Sequence, residues 1–231
     1  MIYITGDTHN LLDIGKIKKF LLTHKTSLND YLIICGDYGV PGFRKTLEND
    51  DAFEFWKNVP ITILYIDGNH ENFNELNKLP IEEWNGGKIQ KLSDNIIHLM
   101  RGQVYTIDNK KFFTMGGATS IDRIYRTPNI DWFPEEDCNY QETEDALQNL
   151  EKHNFTVDFI ITHTIGEEFI LKKMGKNITF YSDGFGAINR FLDYIDDVVS
   201  YKHWYFGHFH MDVEYLNEKK ECLYSLIKKI D

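Results

Sequence analysis

Residues that can bind metal ions or move protons recur in short motifs along the chain. The motifs are Gly6-Asp7-Thr8-His9, Gly36-Asp37, Gly68-Asn69-His70-Glu71, Thr162-His163 and Gly207-His208-Phe209-His210. Carboxylates, imidazoles and amide oxygens suit divalent Mn, Fe or Zn, and none of the three cysteines lies in a metal-binding spacing. Five of the nine histidines fall within these motifs, so the sequence predicts a site for divalent cations.

Each motif follows an apolar run that predicts a short β-strand. The runs cover residues 2–5, 31–35, 61–66, 157–162 and 203–207. In open α/β sheets, binding sites assemble at the carboxyl ends of the strands. We therefore expect the five motifs to meet at one edge of a sheet structure, although they are far apart in the chain.

Helical patterns alternate with these strands in the first half of the chain. Apolar spacing predicts helices over residues 11–24 and 47–57, and this alternation favours parallel strands with helices on the sheet face. A further helix is predicted over residues 142–153. Further strands are predicted over residues 95–100, 103–107, 111–115, 213–216 and 221–226. Asp108-Asn109-Lys110 is a predicted hairpin connection, and residues 72–95 and 172–185 are predicted loops at the rim of the site.

Composition narrows the classes of function and the organisation of the chain. No repeat or linker interrupts the 231 residues, which predicts a single mixed α/β domain over residues 1–231 with two packed sheets and helices outside. The formal net charge of −11 gives no strong nucleic-acid signature, since duplex binding usually needs a basic patch. No apolar stretch of about 20 residues predicts a membrane span. With no signal peptide at the start, the expected location is cytoplasmic. The sequence does not set an oligomeric state.

In this order, the motifs resemble those of calcineurin-like metallophosphoesterases, in the form of compact bacterial and phage members. The resemblance runs from residue 6 to residue 210, so it covers nearly the whole chain. It implies an α/β fold in which a four-layer α/β/β/α sandwich is built from two mixed sheets flanked by helices. It also implies that the site lies at one edge of the β sandwich.

The resemblance also implies a dinuclear metal centre. Two divalent cations would bind, with Mn favoured and Fe, Zn, Ni and Mg as alternatives. The first set of ligands would be Asp7, His9, Asp37 and His210, and the second would be Asp37, Asn69, His163 and His208. The nucleophile would be a hydroxide that bridges the two cations. His70 would be catalytic without binding metal, because it would donate a proton to the leaving group or stabilise charge there.

Two positions depart from the pattern of one branch of the family. Protein Ser/Thr phosphatases carry an Asp-Arg pair shortly after the bridging aspartate, and here Val40 and Pro41 stand in its place. This departure counts against a close phosphoprotein phosphatase. Arg123 or Arg126 could grip the phosphate in a forked geometry instead, unless their segment is only a surface loop with salt bridges. Glu71 could orient the adjacent His70.

The predicted function is therefore a metal-dependent phosphoester hydrolase. It would be a phosphomonoesterase or phosphodiesterase acting on a small molecule or an exposed phosphoryl group. A nuclease of the same superfamily and an enzyme like the Ser/Thr protein phosphatases are the alternatives. A metal-binding module without catalysis is a third alternative, and the presence of His70 beside a complete ligand set counts against it.

Overall fold

Two β-sheets form the centre of the protein, in a computed structural model that describes residues 1–174 and 185–231. The strands of the first sheet are β1 (Ile2–Thr5), β2 (Tyr31–Ile34), β3 (Thr62–Tyr65), β4 (Ile81–Trp84), β5 (Gly87–Ser93), β6 (Ile96–Leu99) and β13 (Lys228–Ile230). Those of the second sheet are β7 (Gln103–Ile107), β8 (Lys110–Met115), β9 (Phe159–Thr162), β10 (His203–Phe206), β11 (Val213–Tyr215) and β12 (Lys220–Cys222).

Both sheets are mixed, with parallel strands at the centre and antiparallel strands at the edges. The first sheet has the order β13-β1-β2-β3-β6-β5-β4, and β1, β2, β3 and β6 are parallel. The second has the order β11-β12-β10-β9-β8-β7, and its four central strands are parallel. Parallel neighbours end at the same edge, so the motifs that follow β1, β2 and β3 lie side by side, as do those after β9 and β10.

Helices cover the outer face of each sheet. They are α1 (Gly15–Thr23), α2 (Asp51–Lys57), α3 (Phe73–Leu76), α4 (Tyr140–Lys152), α5 (Glu167–Phe169), which continues into a π-helical turn at Ile170–Met174, and α6 (Ala187–Val198). Apolar side chains of α1 and α2 pack on the first sheet, and those of α4 and α6 pack on the second. A third cluster fills the space between the sheets and includes Ile4, Leu64 and Phe112. These layers confirm the predicted α/β/β/α sandwich.

Predicted boundaries shift where turns replace regular structure. The helix predicted over residues 11–24 begins only at Gly15, because Leu11 and Leu12 lie in turns where they are exposed. The strand predicted over residues 221–226 ends at Cys222, because the following backbone N–H groups of residues 224–226 donate to the Asp212 carboxylate. The predicted hairpin is present, and Asp108 and Asn109 both have positive φ, as a two-residue type I′ turn requires.

Two larger predictions about loops and helices also change. The loop predicted over residues 72–95 is wrong, since this segment forms α3 and the antiparallel pair β4–β5 at the edge of the first sheet. Helix α6 was not predicted, although Ile188, Leu192 and Ile195 are buried along one face of it. Most of the loop predicted over residues 172–185 lies outside the described residues. Within the described ranges, no helix is both long enough and apolar enough to cross a membrane.

A buried ion pair ties the segment of residues 117–137 to the first sheet. Arg101 donates to the Asp67 carboxylate from Nε at 2.8 Å and from Nη2 at 2.5 Å, and His98 Nε2 lies 3.1 Å from the other oxygen. Arg101 also donates to the carbonyl of Glu135, while the N–H of Gly117 donates to the carbonyl of Asp67. The pair therefore holds both ends of a segment that reaches the candidate site.

Replacing this arginine should cost a large part of the stability of the fold. We expect Arg101→Met to lower the free energy of unfolding by about 3–5 kcal/mol at neutral pH, because Asp67 would stay buried without its guanidinium partner. Burial alone would raise the pKa of Asp67, but Arg101 and His98 hold it below its usual range. The pair therefore stabilises the fold above the unfolded pKa of about 4 and loses this effect as the pH falls.

Urea unfolding with a chelator present, at neutral and at acidic pH, measures this contribution. The difference between wild type and variant should shrink as the pH falls below about 4. A difference at neutral pH of less than about 1 kcal/mol, as an exposed ion pair would give, contradicts the prediction.

Candidate metal centre

Five strand ends bring all of the predicted ligands to one edge of the sandwich. Close contacts join them into one connected group, which consists of Asp7, His9, Asp37, Asn69, His163, His208 and His210. The first four follow strands of the first sheet, and the last three follow strands of the second. The site therefore needs both sheets.

Asp37 lies at the middle of this group. Its Oδ2 is 3.2 Å from His9 Nε2, and its Oδ1 is 3.2 Å from His163 Nε2. Asn69 Oδ1 is also 3.2 Å from His163 Nε2. The carboxylate is buried, and its two oxygens face histidines that belong to different predicted ligand sets. This is the arrangement expected of a carboxylate shared by two cations.

Asp7 joins the other members of the first set. Its Oδ2 lies 3.1 Å from His210 Nε2, yet this buried oxygen accepts no hydrogen bond of good geometry from the described residues. Its Oδ1 accepts from the N–H of His208 at 3.0 Å. Ligand atoms of Asp7, His9 and His210 all lie within 4.8 Å of one another. A buried carboxylate oxygen without a donor, beside two imidazoles, fits a divalent cation.

Hydrogen bonds on the far side orient two ligands of the second set. The ring Nδ1 of His163 lies 2.8 Å from the carbonyl oxygen of Cys35 and donates to it, so Nε2 is the nitrogen that could bind a metal once the ring is neutral. The Asn69 amide donates from Nδ2 to Ser120 Oγ at 3.1 Å, which leaves Oδ1 directed at His163. Both residues therefore direct toward the other predicted ligands the atom that could bind a metal.

Backbone geometry at the strand ends is unusual for these residue types. Four predicted ligands have positive φ, with values of 42° at His9, 49° at Asp37, 68° at His208 and 50° at His210. Non-glycine residues seldom adopt this region outside turns, and strained backbone of this kind is often found at functional sites. The strain indicates that tertiary contacts hold these side chains in the site.

Glycine is required where the strand ends approach one another. A Cβ on Gly36 would lie 2.2 Å from His163 Nδ1, and a Cβ on Gly68 would lie 2.1 Å from Asp37 Oδ1. Any side chain at either position would displace a predicted ligand. The glycines that precede the ligands in the sequence motifs thus have a steric role.

The electrostatics suit a cation site. Burial would raise the pKa of Asp37, but His163 and His70 hold it well below its usual range, so the carboxylate stays ionised. Burial would lower the pKa of His9 and of His163, but the neighbouring Asp37 raises each to about 9. Imidazoles bind metal only without their proton, so cation binding would release protons and strengthen as the pH rises.

His70 lies beside both ligand sets. Its backbone N–H donates to Asp37 Oδ1 at 2.8 Å, and its ring centroid is 5.3 Å from that of His9. Ligand atoms of His9, Asp37 and His70 also lie within 4.8 Å of one another. His70 is therefore close enough to act on a group bound at this site, and also close enough to be a metal ligand itself.

The two candidate arginines differ in position. Arg126 Nη2 lies 3.3 Å from His70 Nε2, while its Nε pairs with Asp122 Oδ1 at 2.9 Å. The Arg123 side chain is exposed, and none of its described contacts involves a predicted ligand. Only Arg126 reaches the site.

The sequence suggested that Glu71 could orient His70, but in the structure Glu71 bonds to other groups. Its two carboxylate oxygens accept from the N–H groups of Tyr38 and Gly39 at 2.8 and 3.0 Å. These bonds fix the loop after Asp37 instead.

Val40, in the place of the aspartate of protein phosphatases, is buried in the apolar cluster on the outer face of the first sheet.

Sequence reasoning missed two side chains beside the first ligand set. Asp13 Oδ2 is 2.7 Å from His9 Nδ1, and the ring of Tyr224 stacks on the ring of His210. The spacing of four residues between His9 and Asp13 is a signal that could have identified Asp13. Nothing in the sequence marks Tyr224, which comes near the ring only through folding.

Comparison of the sequence with known protein families identifies the family of this chain. The family model for calcineurin-like phosphoesterases matches residues 1–212. A comparison with curated proteins finds no match. The matched stretch contains every predicted ligand and His70. The chain therefore belongs to the calcineurin-like phosphoesterase family, and in general terms it is a metal-dependent phosphoester hydrolase.

Proposed function

We propose that this protein hydrolyses phosphoesters with two divalent cations, Mn²⁺ foremost, that share Asp37. Asp7, His9 and His210 complete the first set of ligands, and Asn69, His163 and His208 complete the second. The observation that carries the proposal is that the two oxygens of Asp37 face His9 on one side and His163 on the other, each at 3.2 Å. Because the ligands come from both sheets, we further propose that residues 1–231 act as one domain.

The cations, when bound, would lower the pKa of a water molecule and neutralise charge on the phosphoryl oxygens. The chain supplies the remaining parts of the mechanism. The hydrogen bond from the backbone N–H of His70 to Asp37 Oδ1 holds the His70 backbone against the shared carboxylate. The His70 imidazole then protonates the leaving oxygen or stabilises its charge.

Arg126 would act on the phosphoryl group and on His70 in turn. A guanidinium can only donate, so the contact with His70 Nε2 requires that this nitrogen accept. The same donor suits a phosphoryl oxygen better, because a charge-assisted bond to an anion is stronger than one to a neutral ring. Substrate binding would therefore draw Arg126 Nη2 from His70 to the phosphate, so that Nε2 can take up a proton from solvent and pass it to the leaving oxygen. Asp122 would stay paired with Arg126 Nε while Nη2 changes its partner.

The variant Arg126→Ala should raise KM more than it lowers kcat. We expect kcat/KM to fall by about 10- to 100-fold, since a hydrogen bond to a charged group contributes about 1.5–3 kcal/mol. Steady-state kinetics with a phosphomonoester measures the effect. Arg190→Ala, on the exposed side of α6, is the matched control and should behave as wild type. If Arg123→Ala shows the loss and Arg126→Ala does not, the assignment to Arg126 is wrong.

A small molecule or an exposed phosphoryl group fits the site better than the alternatives. Val40 and Pro41 give no Asp-Arg pair for a close protein phosphatase, and the arginine that reaches His70 belongs to another segment. The net charge of −11 counts against a nuclease that follows a long polyanion. Monoester and diester hydrolysis both remain within the proposal.

A substrate panel tests the proposed function. The purified protein, loaded with Mn²⁺ or Mg²⁺, is assayed with p-nitrophenyl phosphate, bis-p-nitrophenyl phosphate, a cyclic nucleotide and single-stranded DNA. We expect the wild-type protein to hydrolyse at least one ester in a metal-dependent reaction. This turnover should be absent in Asp37→Ala. Cleavage of DNA alone would favour the nuclease. If the metal-loaded protein turns over none of these substrates, the enzymatic proposal fails and a binding module remains.

A further inference from the structure

Two side chains outside the ligand motifs connect the imidazoles of the first ligand set. Asp13 Oδ2 lies 2.7 Å from His9 Nδ1, and Asp13 Oδ1 accepts from the Tyr224 hydroxyl at 2.7 Å. The Tyr224 ring stacks on that of His210, with centroids 4.7 Å apart and an angle of 15° between the planes. One continuous set of contacts thus runs from His9 to His210 behind their metal-facing atoms.

We propose that Asp13 and Tyr224 are positioning residues that hold His9 and His210 for the first cation, an inference that rests on the proposed function. Asp13 accepts the Nδ1 hydrogen of His9, so Nε2, at 3.2 Å from Asp37 Oδ2, is the nitrogen that would bind the cation once it has given up its proton. A carboxylate behind an imidazole fixes the tautomer and the ring angle, and it raises the basicity of the metal-facing nitrogen. Tyr224 in turn orients Asp13.

His210 has particular need of such support. Its side chain is 50% exposed, whereas that of His163 is fully buried. A half-exposed ring can rotate unless something packs on its face, and the Tyr224 ring supplies that packing. His163 of the second set is held differently, by burial and by the carbonyl of Cys35. Loss of Asp13 or Tyr224 should therefore affect one cation and spare the other.

Tyr224 is itself held in place independently of the imidazoles. Its N–H donates to Asp212 Oδ1 at 2.8 Å, and its carbonyl accepts from Lys16 Nζ. The same Lys16 ammonium donates to the carbonyls of Gly6 and Asp7 at 2.9 and 2.6 Å, so Tyr224 is tied to the end of β1. The family match ends at residue 212, so the chain beyond the matched stretch supplies this part of the site.

Titration of the metal-free protein with Mn²⁺ tests the inference, with free Mn²⁺ measured by electron paramagnetic resonance. Wild type should bind two Mn²⁺. Asp13→Ala and Tyr224→Leu should each weaken one of the two by about 10- to 100-fold and leave the other unchanged. Asp13→Asn should restore much of the affinity, because its amide oxygen can still accept from His9. Tyr224→Phe keeps the ring and should lose less than Tyr224→Leu.

Tyr201→Phe is the matched control. The Tyr201 hydroxyl donates to Asp196 Oδ1 at 2.6 Å, so this variant removes a similar Tyr–Asp bond that does not touch a predicted ligand. It should bind both Mn²⁺ as wild type does. Equal weakening at both sites in the Asp13 and Tyr224 variants, or the same loss in Tyr201→Phe, would overturn the inference.

The two levels of the proposal can fail separately. Wild type that binds two Mn²⁺, with unchanged affinities in Asp13→Ala and Tyr224→Leu, overturns the positioning role and leaves the proposed function intact. Wild type that binds fewer than two contradicts the dinuclear function and the inference with it. If Tyr224→Leu does not fold, the comparison of Tyr224→Phe with Tyr201→Phe gives the same decision.

Discussion

His70→Ala should lower kcat by about 10²- to 10⁴-fold while the protein still binds two Mn²⁺. The ring stands beside Asp37, where it can reach a leaving oxygen, but both ligand sets are complete without it. Metal content by elemental analysis, together with steady-state kinetics, measures both halves of the prediction. His153→Ala, at the end of α4, is the control and should change neither.

The dependence on the leaving group sharpens this test. If His70 protonates the leaving oxygen, the variant should lose more activity with an alkyl phosphate than with p-nitrophenyl phosphate, whose phenolate leaves readily without a proton. Because ligand atoms of His70, His9 and Asp37 lie within 4.8 Å, a ligand role is the rival explanation. Loss of a cation from the variant would support that rival, and unchanged kcat would remove His70 from the chemistry altogether.

Asp37→Ala should have the other large effect, the loss of both cations and of nearly all turnover. Each oxygen of Asp37 faces a different ligand set, so this one substitution removes a ligand from both. We expect kcat to fall by at least about 10⁴-fold, because water activation and charge neutralisation disappear together. Mn²⁺ titration and the substrate panel measure the two consequences.

A comparison of Asp7→Ala with Asp37→Ala tests whether Asp37 is a ligand of both cations. Asp7 belongs to the first set alone, so its variant should lose one cation and keep the other. If Asp37→Ala still binds two Mn²⁺, or if Asp7→Ala and Asp37→Ala lose the same single cation, then Asp37 does not bridge. The proposed dinuclear arrangement would then be wrong.

The local sequence was enough to predict most of the central strands of the two sheets. Strands β1 and β7 begin and end where their apolar runs predict, β2 is one residue shorter at one end, and β3 and β6 are one residue shorter at each end. Strands β1, β3 and β6 are buried on both faces, so their composition is decided by burial and is readable without the rest of the chain. Helix α6 was missed although Ile188, Leu192 and Ile195 recur at helical spacing, so its signal was present in the sequence. Strand β5 was missed because its buried Ile89 and Leu92 do not alternate regularly, since the pairing register shifts between Lys91 and Ser93.

The sequence by itself determined which residue types follow which strands, and this was enough to predict the ligand motifs and the family. Only the tertiary structure decided how those groups meet. It brought Asp37 between His9 and His163, Arg126 to His70, and Tyr224 onto His210. It also turned Glu71 away from His70 and toward the loop after Asp37. The reason is that a motif depends on neighbours in the chain, whereas an orienting contact depends on where distant segments pack.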